Sequence, residues 1–177
     1  EEAGRYAATQ TRNYIELAHS GIQFIAQLDD RSADLDAILE SAIERNEGYL
    51  EVIIVNEQGG VVHSASTGEP LLTNLFTIAQ SNWFHSALTG NPDELYIGEV
   101  QISPANIPYV IISTANRSGG VVALRLSLSV LGDIVSDLRF GMTGMTYVVQ
   151  SAGIIAAHPD PEVIQNFVSL AGRPEFE

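Results

Sequence analysis

Apolar and polar positions along the first thirty residues recur with a helical period. No proline interrupts residues 3 to 29, and Tyr14, Leu17, Phe24, Ile25 and Leu28 fall on one stripe, which predicts a single long N-terminal helix. Gly21 lies on the same stripe. Glycine costs about 1 kcal/mol relative to alanine inside a helix, so its presence points to close packing against a neighbour. Asp29, Asp30 and Ser32 break the pattern. A second helix follows over 33–47, with Leu35, Ile38, Leu39, Ala42 and Ile43 as its buried stripe and Ser32 as its cap.

After Gly48 the period changes. Leu50 to Val55 is a β-branched run, Asn56-Glu57-Gln58-Gly59-Gly60 is turn chemistry, and Val61 to Ser64 returns, which together predict a hairpin. Residues 68–74 read as loop and 75–88 as a short helix ending at Thr89-Gly90-Asn91-Pro92. Three further strands are expected over 95–102, 109–116 and 120–128, the last two joined by Arg117-Ser118-Gly119. Five strands interrupted once by a helix predict an antiparallel sheet packed against helices, an α+β fold. Beyond them lie a helix over 131–138, the glycine pair Gly141 and Gly144, a second hairpin over 145–158 and a helix over 160–170. That second hairpin echoes the first as supersecondary structure, although the two share little identity. The expected organisation is a long helix over 1–32, a first module over 33–130, and a connecting helix with part of a second module over 131–177.

Composition narrows the function. Hydrophobic residues make up 45% and charged residues 17%, a balance that folds. The eight basic residues are all arginine and face 22 acidic ones, for a formal charge of -14. Nucleic acid is therefore excluded as a partner, since binding it requires clustered positive charge. With no cysteine, thiolate metal sites, disulfides and cysteine catalysis are excluded as well. No apolar run approaches the roughly 20 residues of a membrane span, and the acidic start does not resemble a signal peptide. The sequence reads as a soluble piece excised from a longer protein.

Five segments in order, YLEVIIVNEQGGVVHSAS, SNWFHSALTG, YIGEVQISPANIPYVIISTA, GGVVALRLSLSVL and FGMTGMTYVVQSAGIIAAHPD, resemble the double Cache sensor family. The resemblance covers residues 33 to 160. It implies a long helix rising from a first membrane span, a membrane-distal PAS-like module with a five-stranded antiparallel sheet that binds a small ligand, and the start of a second PAS-like module. The implied protein is the extracytoplasmic part of a transmembrane receptor, a binding domain and not an enzyme. A sensor histidine kinase of a two-component system is expected first as host, a chemoreceptor second and a diguanylate cyclase third. Homodimerisation through the apolar stripe of residues 14–28 is expected in the intact receptor. An alternative is a module that docks a periplasmic binding protein.

Site residues follow from the same comparison. Trp83, the only tryptophan, and Phe84 sit where the resemblance implies an aromatic pair on the pocket wall. Taken alone, a tryptophan on a short amphipathic helix is equally a core residue. Family members that bind free amino acids carry an arginine two residues before the tryptophan and a tyrosine directly after it. Here Ser81 and Phe84 stand in those places, which argues against an amino-acid carboxylate held at this spot and for a less charged ligand or one anchored elsewhere. Tyr96, Gln101, Tyr109 and Ser113 complete the expected pocket. Tyr96 and Gln101 have opposite parity on one strand, so both can face the ligand only across a bulge. His19, His63, His85 and His158 lack metal spacing, no hydrolase or phosphate-loop motif is present, and neither a metal nor a cofactor is expected.

Overall fold

A computed structural model describes residues 2–73, 78–91, 94–136, 148–149, 155–158 and 163. The chain divides into two compact units: one comprises Glu1–Glu16, Val100–Tyr109 and Ser127–Glu177, the other Leu17–Glu99 and Val110–Leu126.

The N-terminal helix α1 spans Glu2–Ala26 and α2 spans Leu35–Arg45. On α1 the residues that bury are Ala7, Ala18, Ile22, Ile25 and Ala26, whereas Leu17 and Phe24 are 63% and 62% exposed. Small alanines let the helix approach the core closely beside Ile22 and Ile25, and Leu17 and Phe24 of the apolar stripe are left outside. Gly21 does meet a close neighbour, the phenol of Tyr49, at a distance that leaves no room for a Cβ. Helix α2 buries Leu35, Leu39 and Ile43 as its period requires. Its N-cap is Asp34 and not Ser32, and it makes no side-chain capping bond. The main-chain oxygen of Ser32 accepts from Leu35 instead, so the chain is still turning at the expected cap.

Strands β1 (Tyr49–Val55) and β2 (Val61–Ser66) form the predicted antiparallel hairpin. A short 3-10 turn (Ile78–Gln80) leads to α3 (Asn82–Thr89), and the rest of the sheet comes from β3 (Tyr96–Ile97), β4 (Gln101–Ile102), β5 (Pro108–Ala115) and β6 (Val121–Ser127). The order is β2-β1-β6-β5-β3, with β4 pairing beside β5. Neighbours pair antiparallel, so the α+β class holds, but with six strands and not five. The expected strand over 95–102 is divided into β3 and β4: Gly98 still bonds its N–H to the Ile111 carbonyl, and one extra residue before Gln101 interrupts the register.

Both tight hairpins use one local solution. Asn56-Glu-Gln-Gly59-Gly60 and Asn116-Arg-Ser-Gly119-Gly120 each bond the Asn N–H to the second Gly oxygen, with the first Gly at φ +80° and +97°. Only glycine adopts that backbone freely. The central strands β1 and β6 are buried almost throughout, as expected where both faces of a sheet are covered.

In the other unit the Tyr14 hydroxyl donates to the Ser127 carbonyl at 2.7 Å, α4 spans Ser129–Ser136, and β7 (Val148–Val149) pairs antiparallel with β8 (Ile155–Ala157). The expected second hairpin is therefore present. The glycine pair Gly141 and Gly144 and nearly all of the helix expected over 160–170 lie outside the described residues. Among the described residues no helix is long and apolar enough to cross a membrane.

Candidate functional site

Helix α3 carries the aromatic pair. Trp83 and Phe84 are 4% and 2% exposed, and their rings meet edge to face at 6.1 Å. His85 extends the contact on the outer side of Phe84, with ring centroids 5.9 Å apart. This part of α3 packs on the sheet, where β5 supplies Ser113. There Ser113, fully buried, donates its hydroxyl to the Trp83 carbonyl at 2.7 Å and fixes α3 on the sheet. Tyr96 stands directly across from Ser113 in the β3–β5 register and is half-buried.

One donor in this group is unsatisfied. The Trp83 indole Nε1 is buried and has no hydrogen-bond partner among the described residues. Leaving a buried donor unmade costs about 1–3 kcal/mol, and native structures seldom carry such groups without a use. Ser81, at the place where an arginine would clamp a carboxylate, spends its hydroxyl on the carbonyl of Ile78 at 2.7 Å. No cation takes over that role from position 81.

Gln101 and Tyr109 belong to the other compact unit. They are directly paired in the β4–β5 register, and the Tyr109 hydroxyl donates to Gln101 Oε1 at 2.9 Å. Between the β3 and β4 pairings, Ile97 to Gln101 encloses three residues where Ile112 to Tyr109 encloses two. The register therefore absorbs one extra residue.

Sequence reasoning missed a buried charge group. Glu51 on β1 is 0% exposed, and its carboxylate accepts from the backbone N–H groups of Leu71, Leu72 and Thr73 at 2.8–3.2 Å. Arg125, its register partner on β6, holds Nε 3.4 Å from Glu51 Oε2 and donates through Nη2 to the carbonyl of Glu69 at 3.2 Å. The Nε contact is ionic attraction without hydrogen-bond geometry, so the three amides carry the tighter part of the arrangement. Carboxylate and guanidinium together staple the loop 69–73 to the sheet.

His63 forms a second cluster. Its Nδ1 lies 2.7 Å from Asp36 Oδ1 and its Nε2 2.8 Å from the Asp30 carbonyl. Burial is the largest single influence and pulls its pKa down, but the Asp36 hydrogen bond, the Asp30 carbonyl and both acidic charges together raise it above the ordinary value. Among the described residues no three His, Cys, Asp or Glu side chains gather as metal ligands would.

A cavity of about 740 Å³ opens between α1 and α2, and none of the six expected pocket residues lines it.

Comparison with known proteins adds the following. A family model described as "Cache domain" matches residues 1–176. The methyl-accepting chemotaxis protein McpG of Pseudomonas putida is 23% identical over 171 residues, 95% of this chain; the chain spans only 26% of that relative. Among solved structures, the ligand-binding domain of the Pseudomonas aeruginosa amino-acid chemoreceptor PctC with GABA aligns at TM-score 0.75 and 20% identity, covering 96% of this chain and 78% of the other. The PctB domain of the same organism with L-Gln gives 0.73 and 23%, over 96% and 70%. The Pseudomonas fluorescens CtaA domain with L-serine gives 0.71 and 22%, over 96% and 74%.

Proposed function

The chain belongs to the Cache domain family, and from that premise we propose that it is the extracytoplasmic ligand-sensing domain of a chemoreceptor, with a small molecule held at Trp83. The histidine kinase expected first from the sequence gives way to the chemoreceptor expected second, because McpG, PctC, PctB and CtaA are all chemoreceptors. It is a binding domain; the chemistry of signalling belongs to the rest of the receptor.

The observation that carries the site is the unpaired indole N–H of Trp83, buried beside Phe84 with Tyr96 and Ser113 on the strands beneath. Small-molecule sites are largely apolar with a few placed polar groups, and a lone buried donor calls for a ligand acceptor oxygen. Ser113 supports the site from below, since its hydroxyl proton is already committed to α3. Gln101 and Tyr109, bonded to each other, are proposed for ligand contact within their own unit. With Ser81 in place of a clamping arginine, the ligand is a small carbonyl- or hydroxyl-bearing molecule and not a free α-amino acid. An amino acid is the second reading, favoured by the ligands bound to PctC, PctB and CtaA.

Signalling requires only that the ligand favour one of two arrangements of the domain. Calorimetric screening of neutral amides, sugars, carboxylates and the common amino acids, repeated on Trp83→Phe, tests the reading. Trp83→Phe keeps an aromatic ring and deletes the donor. A hit weakened at least fivefold in the variant supports it; a hit bound equally by both proteins refutes the site.

A further inference from the structure

The cavity between α1 and α2 has features of a second ligand site. Its walls are apolar, with Leu17, Phe24, Ala37 and Ile38 among them, and its volume of about 740 Å³ falls within the roughly 300–1,000 Å³ of small-molecule pockets. Two polar groups stand out in its lining. Tyr49 is only 5% exposed, and its hydroxyl sits against Gly21. Burial alone holds that hydroxyl above its ordinary pKa, so it stays a neutral donor and acceptor. Asp34 is the one charged residue in the lining, and its carboxylate makes no capping bond to α2. A full unit charge there outweighs the half charge of opposite sign at the N-terminus of α2.

These groups sit at opposite ends of α2, Asp34 at its N-cap and Tyr49 just past its C-cap Asn46. Eleven helical residues separate the ends by about 16 Å. We propose that the α1–α2 groove binds an elongated amphiphile: a linear apolar body, an ammonium group paired with Asp34, and a hydroxyl or carbonyl oxygen bonded to Tyr49. Such a ligand differs in charge from one held by the Trp83 donor. The reading is independent of the Trp83 site.

The test uses three matched probes, 8-aminooctan-1-ol, octane-1,8-diol and 8-hydroxyoctanoate, titrated into the chain by NMR. The amine is expected to bind most tightly and the acid least. Asp34→Asn is expected to weaken the amine about tenfold and leave the diol unchanged, while Tyr49→Phe weakens both a few-fold. The Trp83 indole signal is expected to stay in place throughout, which keeps this result separate from the other site. Equal binding of amine and acid, or indifference to Asp34→Asn, overturns the proposal. So does the absence of binding, whether the chain is monomeric or forms a dimer that Phe24→Glu dissociates in sedimentation. In the dimer case the groove belongs to a second copy, the arrangement expected from the stripe of α1.

Discussion

Replacing Glu51 tests how the loop 69–73 is held. In Glu51→Ala three consecutive backbone N–H groups lose their acceptor, and Arg125, 4% exposed, keeps a buried charge without its carboxylate. Breaking a buried pair by removing one partner costs about 3–5 kcal/mol, against roughly 5–15 kcal/mol for a whole domain. The geometry apportions that loss. The amides lie at 2.8–3.2 Å, whereas Arg125 Nε stands off at 3.4 Å without a hydrogen bond to the carboxylate. Arg125→Met should therefore cost less than Glu51→Ala, because Glu51 retains its three backbone donors. Urea unfolding followed by Trp83 fluorescence gives the two values, and hydrogen exchange reports the Leu71, Leu72 and Thr73 amides. Exchange should accelerate strongly in Glu51→Ala and little in Arg125→Met. A loss below about 1 kcal/mol for Glu51→Ala, or an Arg125→Met as damaging as Glu51→Ala, would refute the division argued from the distances.

Other outcomes follow from single contacts. His63 has a raised pKa, so its contribution to stability is complete below the unfolded value near 6.5 and is lost as pH rises through the folded value; NMR titration should place the folded value above 6.5, and Asp36→Asn should lower it. Titration of the wild-type ring below 6.5 would contradict the paired geometry. Gly21→Ala gains about 1 kcal/mol of helix propensity but collides with the Tyr49 phenol, a strain of about 1–3 kcal/mol, so a net loss is expected that Tyr49→Phe partly relieves. A Gly21→Ala protein melting above wild type would show that the contact relaxes freely. Ser113→Ala removes the donor to the Trp83 carbonyl and should lower stability by about 1–2 kcal/mol while changing near-ultraviolet dichroism of the tryptophan. An unchanged spectrum would detach Ser113 from α3.

Much of the fold was legible because local chemistry decides it. The run Tyr49–Val55 and the Asn-x-x-Gly-Gly turns specify hairpins from neighbouring residues alone, and Gly21 announced a close neighbour before Tyr49 could be named. Periodicity located the apolar stripe of α1 but not the face that buries inside the chain, where packing at close range selected Ala18 and Ala26 and left Leu17 and Phe24 outside. The interruption between Ile97 and Gln101 depends on how both pair with β5, at Ile112 and Tyr109, which neighbouring residues do not specify. The Glu51 staple was invisible for a stronger reason: its main partners are backbone amides, which every residue but proline possesses. Trp83 and Ser113 were legible as residues of interest, but the free indole donor and the bond between them belong to tertiary structure.

Trp83 is the only tryptophan, so an ¹H–¹⁵N correlation spectrum contains a single indole signal, and that signal is the most direct test of the sensing site. With the tightest ligand from the screen added to saturation, the peak should move downfield and its solvent exchange should slow as the N–H gains an acceptor. A saturating ligand that leaves this peak where it was, with the same exchange rate, would contradict the assignment of the ligand to Trp83.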